Sequence, residues 1–116
     1  EDFRGLPLVG GEPLHPDNQK TVLEVVRRVR EAFPLKTVWC YTGYFYENLV
    51  QGQVGDPETV WALLEGIDVL VDGPFVEALK NLGLRFRGSD NQRILLASAS
   101  LAAGELVFWE DVPYGT

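Results

Sequence analysis

Two rhythms of apolar residues alternate along the chain: short unbroken runs, and longer stretches at helical spacing. Leu6 to Val9 is an apolar run cut off by Gly10-Gly11, with Glu12 and Pro13 following. Val22, Val25, Val26, Val29, Ala32 and Phe33 then recur at i, i+3, i+4 and i+7, while Glu24, Arg27, Arg28 and Glu31 lie on the other side. This spacing predicts a helix that opens at Pro16-Asp17, with Asp17 or Asn18 as N-cap, and stops at Pro34. Thr37 to Tyr41 is a run of β-formers and predicts a buried strand ending at Thr42-Gly43. A short helix is expected from Tyr46 to Val50 and a loop from Gln51 to Gly55. Asp56-Pro57 starts the next helix, with Val60, Leu63, Leu64 and Ile67 on one face. Asp68 to Asp72 is a further apolar strand, closed by Gly73-Pro74.

Strand and helix alternating in this way imply an α/β fold, a mostly parallel sheet with crossover helices. Each of the three strands ends in a polar residue beside glycine: Glu12 after Gly11, Thr42 before Gly43, and Asp72 before Gly73. Ligands of parallel α/β folds gather at the carboxyl ends of the strands, so these three side chains are expected on one rim. The strand and helix repeats occupy residues 1–74. Residues 75–116 form an irregular C-terminal segment of the same single domain. There the expectations are a short helix in Phe75 to Leu82, a strand in Asn91 to Leu96, an indefinite stretch from Ala97 to Gly104, and a last strand or docked segment at Leu106 to Trp109.

Composition narrows the function classes. At 116 residues the chain builds one core. Its net charge of −7 opposes general nucleic-acid binding, which needs a basic surface. No apolar run approaches the roughly 20 residues that span a bilayer. The single cysteine, Cys40, excludes an internal disulfide framework and fits a reducing cytoplasm. The chain has no methionine and opens with Glu1-Asp2-Phe3-Arg4 directly upstream of a strand. A domain whose natural N-terminal part is missing from this sequence is therefore expected.

Four segments carry a resemblance. They are Gly10-Gly11-Glu12-Pro13, Tyr41-Thr42-Gly43-Tyr44, the stretch Asp68 to Phe75, and Leu84-Arg85-Phe86-Arg87-Gly88-Ser89 with Asn91-Gln92-Arg93-Ile94. In this order the chain resembles the radical S-adenosylmethionine (SAM) glycyl-radical activases that serve anaerobic ribonucleoside-triphosphate reductase. The resemblance implies a partial (β/α) barrel of the radical SAM type, here without its first strand and cluster loop. It also implies a [4Fe–4S] cluster that reduces SAM, a 5′-deoxyadenosyl radical, and hydrogen abstraction from a glycine of the partner reductase. By position it assigns Gly10, Gly11 and Glu12 to the SAM amino group, and Thr42 and Asp72 to SAM from neighbouring strand ends. The family holds its cluster with a C-x3-C-x2-C loop upstream of the Gly-Gly-Glu turn, and one cysteine cannot supply it. The loop is expected upstream of Glu1; a degenerate, non-catalytic nucleotide- or partner-binding module is the alternative.

Taken without the resemblance, the same residues have plainer roles. Glu12 fits a surface acid near a helix start, Asp72 a turn residue before Gly-Pro, and Cys40 a core position. His15 has no second histidine or cysteine pair to share a metal, so no metal ligand is assigned. Arg85, Arg87 and Arg93 are candidates for holding a carboxylate or phosphate or, with the resemblance, for docking the partner reductase; the plainer reading is that nearby acids pair with them. Tyr44, Phe45 and Tyr46 suit either a binding platform or a packed cluster. An unrelated nucleotide-binding domain with Gly10-Gly11 as a phosphate nest ranks last, because no G-x-G-x-x-G or P-loop Lys-Ser pair is present.

Overall fold

The computed structural model describes the backbone of residues 5–8 and residues 11–81, 83, 87, 89 and 91–109. Its elements are β1 (Gly5–Leu8), α1 (Gln19–Ala32), β2 (Thr37–Tyr41), α2 (Tyr46–Val50), α3 (Pro57–Gly66), β3 (Val69–Asp72), a 3-10 turn (Glu77–Leu79), β4 (Arg93–Leu96) and α4 (Ala97–Ala103). The four strands pair in chain order. β1 with β2 and β2 with β3 are parallel, Leu8 opposite Cys40 and Tyr41 opposite Val71. The parallel repeat is as its periodicity predicts, with α1 and then α2–α3 as the connections.

Local chemistry accounts for the ends of these elements. Asp56 caps α3 by accepting the Thr59 N–H (3.1 Å) and hydroxyl (2.6 Å), with Pro57 next in the first turn. Asn18 is the N-cap of α1, but its side chain donates to the Glu12 carbonyl oxygen (3.0 Å) and makes no cap bond. Gly104 ends α4 in the left-handed conformation, so the stretch from Ala97 to Gly104 is a short helix with its C-cap. The expected helix in Phe75 to Leu82 shrinks to the 3-10 turn, and part of that range lies outside the described residues.

β4 runs antiparallel to β3, with Asp72 opposite Arg93 and Val69 opposite Leu96. A parallel partner needs a long crossover, generally a helix, to return the chain to the other end of the sheet. Between β3 and β4 the described residues hold the 3-10 turn and an isolated antiparallel bridge from Lys80 to Ser89, and no crossover helix. Leu106 to Trp109 docks along β4 as an isolated bridge: the Leu96 N–H donates to the Val107 carbonyl (2.8 Å) and the Trp109 N–H to the Ile94 carbonyl (2.9 Å).

All four helices contribute to one core on one face of the sheet. Val26 of α1, Tyr46 and Leu49 of α2, Val60, Leu63 and Leu64 of α3 and Ala97 of α4 surround Val38, Cys40, Leu70 and Leu95. Period-two alternation turns Trp39, Val69 and Val71 to the opposite face, where Trp109 meets Trp39 edge-on at 5.4 Å. The apolar stripe of α1 is narrower than its spacing suggests. Val26 is buried, Val22 and Val29 pack at its margin, and Val25 and Phe33 remain 43% and 53% exposed. Among the described residues no helix is long and apolar enough to cross a membrane.

Helices α1 and α3 meet tightly at Gly66, the last residue of α3. A Cβ there would lie 2.8 Å from Cγ1 of Val26, so α1 and α3 pack only because this position is glycine. Arg30 ties the same corner, its Nε donating to the Gly66 carbonyl (3.1 Å) and its Nη2 to Asp68 Oδ2 (2.7 Å). Asp68 Oδ2 also accepts the Val38 N–H (2.7 Å), holding the start of β2. Helix propensity favours Gly66→Ala by up to about 1 kcal/mol, whereas overpacking against a stiff valine costs about 1–3 kcal/mol. Gly66→Ala is therefore expected to lower the urea unfolding midpoint, and Val26→Ala in the same chain to relieve part of that clash. Equal or greater stability of Gly66→Ala alone would contradict this packing.

Candidate ligand-binding rim

The ends of β1, β2 and β3 bring Glu12, Thr42 and Asp72 to one edge of the sheet. They do not form one cluster. Glu12 pairs with Thr42, and Asp72 belongs to a separate ion-pair network.

Gly11 has φ of +72°, a backbone state that non-glycine residues rarely hold, and it turns the chain into Glu12. The Glu12 carbonyl oxygen accepts the His15 N–H (3.1 Å) and the Asn18 side-chain amide (3.0 Å). Its carboxylate accepts the Thr42 hydroxyl (2.6 Å) and the Leu14 N–H (3.0 Å) at Oε2, and the Gly43 N–H (2.7 Å) at Oε1. Among the described residues no cation pairs with it. The loop is anchored from below by the buried side chain of Gln19, whose Nε2 donates to the carbonyls of Leu14 and Val54, each at 3.0 Å.

Asp72 was expected to face a ligand, but it is fully buried and committed to protein partners. Its Oδ1 accepts Arg93 Nε (3.0 Å), and its Oδ2 accepts Arg93 Nη2 (2.5 Å) and the Tyr46 N–H at the start of α2 (2.8 Å). Arg93 also forks onto Glu47, with Nη1 to Oε2 at 3.0 Å and Nη2 to Oε1 at 2.7 Å. The guanidinium lies 5.6 Å from the centre of the Phe45 ring. Four of its five N–H donors are thus taken by the two acids. These hydrogen bonds raise the Arg93 pKa and, as the largest cause, hold the Glu47 carboxyl below its ordinary range.

Arg87 donates to the Gln92 carbonyl (2.5 Å), inside a turn where Ser89, Asn91 and Gln92 bond to one another and to the carbonyls of Gly73 and Pro74. Gly10 and Arg85 lie outside the described residues. Of the aromatic trio, Tyr46 is core, Tyr44 packs against it, and Phe45 is 40% exposed beneath Arg93. His15 accepts the Asp17 N–H at Nδ1 (3.0 Å) in an exposed loop. The sequence pattern marks Gly43 only as the glycine after Thr42 and assigns no site role to Glu47 or Gln19. Glu47 carried a usable signal, as an acid in the first turn of a predicted helix.

The residues present do not fit an iron–sulfur cluster. Cys40, the one cysteine, is fully buried in β2, and its thiol pKa is pushed up by burial and then by the negative charge of Glu12. Among the described residues no group of three or more His, Cys, Asp or Glu could hold a metal ion. Thiolates are what such clusters need, and a buried, protonated thiol is a poor ligand.

Compared with known proteins, residues 1–95 match the family model described as a 4Fe-4S single cluster domain. The chain is 46% identical over 91 residues to the anaerobic ribonucleoside-triphosphate reductase-activating protein of Vibrio cholerae serotype O1, covering 78% of this chain and 54% of that protein. Against the protein of the same name from Escherichia coli K12 it is 42% identical over 89 residues, covering 77% and 53%. Against that of Enterobacteria phage T4 the identity is 37% over 92 residues, covering 79% and 53%. The chain spans about half the length of the curated relatives it matches. No solved structure matches it.

Two outcomes follow from the ion-pair network. Asp72→Ala leaves Arg93 without its buried partner and is expected to cost about 3–5 kcal/mol in chemical denaturation. A loss below 1 kcal/mol would show that Asp72 does not anchor the rim. The folded pKa of Glu47 lies below its ordinary 4.5, so its contribution is complete above that pH and is lost as the pH falls through the lower, folded value. The melting temperature should hold from pH 7 to about pH 5 and drop below about pH 4, and Glu47→Gln should shrink that drop.

Proposed function

The chain belongs to the 4Fe-4S single cluster domain family, and from that premise we propose that it forms the SAM-binding part of an activating enzyme for anaerobic ribonucleoside-triphosphate reductase. The observation that carries this reading is the state of Glu12. A carboxylate at the carboxyl end of a parallel strand is held by two backbone N–H groups and one hydroxyl, with no cation beside it among the described residues. Such a group suits the α-amino group of SAM, which is a primary ammonium. Gly10 and Gly11 would complete the turn around it. Asp72 would act indirectly, by seating Arg93 and the first N–H of α2 below the rim.

The fold supports the reading in one further respect. A (β/α) barrel carries its helices on one face of the sheet, whereas a doubly wound sheet carries them on both. All four helices here build the core on a single face. We read the sheet as part of a partial barrel of the radical SAM type, with the face carrying Trp39, Val69 and Val71 turned inward.

In that reading SAM and a cluster held outside these residues would, when bound, supply the radical chemistry that activates the reductase. No electron-transfer step is assigned to the residues of this chain, because they do not include the cluster ligands. Their share is to bind and orient SAM. A second reading is a degenerate, non-catalytic module that binds a nucleotide or a partner without iron.

Two measurements separate these readings. A C-x3-C-x2-C loop encoded within about one βα unit (~30 residues) upstream of the Gly-Gly-Glu turn is expected for the activase. Its absence would end the active-enzyme reading. Anaerobic reconstitution of the intact protein should give cluster absorption and SAM cleavage, whereas the degenerate module would bind SAM and neither take up iron nor cleave it. In either case Glu12→Gln is expected to weaken SAM binding about tenfold by calorimetry, since it removes a charged acceptor. Unchanged affinity would remove Glu12 from the site.

A further inference from the structure

We propose that Thr42 is a positioning residue rather than a ligand contact, and that with the Gly43 N–H it leaves Glu12 one acceptor site for a primary ammonium. This rests on the reading of Glu12 given under Proposed function. An ionised carboxylate offers about four acceptor sites. Three are occupied: two on Oε2, by the Thr42 hydroxyl and the Leu14 N–H, and one on Oε1, by the Gly43 N–H. The fourth lies on Oε1, the oxygen beside exposed Gly43.

The carboxylate has no proton to give, so in the 2.6 Å contact the Thr42 hydroxyl must be the donor. That uses its one proton. The same oxygen accepts the Tyr44 N–H (3.2 Å), and the Thr42 N–H is bound to the Val71 carbonyl (3.0 Å). With 5% of its surface exposed, Thr42 has little left to offer a ligand. What it does is fix the rotation of the Glu12 carboxylate, whose backbone is already pinned through its carbonyl by His15 and Asn18. Gly43 completes the device. A Cβ at this position would lie 3.3 Å from Oε1, crowding the one oxygen that still has room. A carboxylate locked in advance loses less entropy on binding than a free one, and that gain is specific to a ligand bearing the ammonium.

The test compares SAM with its desamino analogue, by calorimetry on the intact protein. Wild type should prefer SAM by about tenfold or more, the effect of one charged hydrogen bond. Thr42→Val, which keeps the shape and removes the hydroxyl, should weaken SAM alone and bring the ratio toward one. Thr42→Ser should restore the wild-type ratio. If Thr42→Val weakens both ligands equally, or keeps the full ratio, the positioning role is overturned while the Glu12 assignment stands. If wild type itself does not discriminate, the ammonium reading of Glu12 fails and this proposal fails with it. A ratio is unaffected by a variant that is merely less stable, so melting curves of all three proteins need only confirm that they are folded.

Discussion

The buried carboxylate of Asp72 is the constraint on which the rest of the rim depends. It closes β3, lies opposite Arg93 in the antiparallel register, and accepts the first N–H of α2. A charge with no solvent exposure is stable only when its lone pairs are filled, and Arg93 with the Tyr46 N–H fills three of them. Three segments far apart in sequence therefore share one anchor. Glu47 extends it outward, because the fork of Arg93 is wide enough to serve two carboxylates.

Seen electrostatically, the rim holds three acids and one described cation that pairs with them. Arg93 pairs with both Asp72 and Glu47, whereas among the described residues Glu12 is bound by neutral donors. The two groups are thereby separated by role: one set of contacts builds the end of the sheet, and the other holds a single carboxylate in one orientation. Cys40, one residue below this edge in β2, experiences the Glu12 charge as well as burial, and both act against its thiolate. The metal chemistry of the family has no foothold in such a strand.

Much of the fold was legible beforehand. Asp56-Pro57 announced α3, Pro34 lies just beyond the end of α1, and the runs at Thr37 to Tyr41 and Asp68 to Asp72 became β2 and β3 within a residue. Residues beyond Pro74 were harder, since Ala97 to Gly104 has small side chains that carry little periodic signal, and α4 is defined mainly by its packing beside α3 in the core and by the Gly104 cap. For the site, Glu12, Thr42 and Asp72 were rightly placed on one edge. Their partners were not legible, because nothing local distinguishes a carboxylate that meets a ligand from one that meets an arginine.

By itself the sequence determined the elements as far as Asp72, their order and the polar residue at the end of each parallel strand. Caps, prolines and hydrophobic period act within a few residues, and short-range sterics and hydrogen bonding enforce them. The tertiary structure alone decided the direction of β4, the burial of Asp72 and the division of the rim into an ion-pair network and a carboxylate held by neutral donors. Those outcomes depend on contacts between residues 30 apart for Thr42 and Glu12, 21 for Arg93 and Asp72, and 46 for Arg93 and Glu47. Side chains so distant meet only after the loops between them have closed, and no periodicity along the chain records which of several acids an arginine will reach.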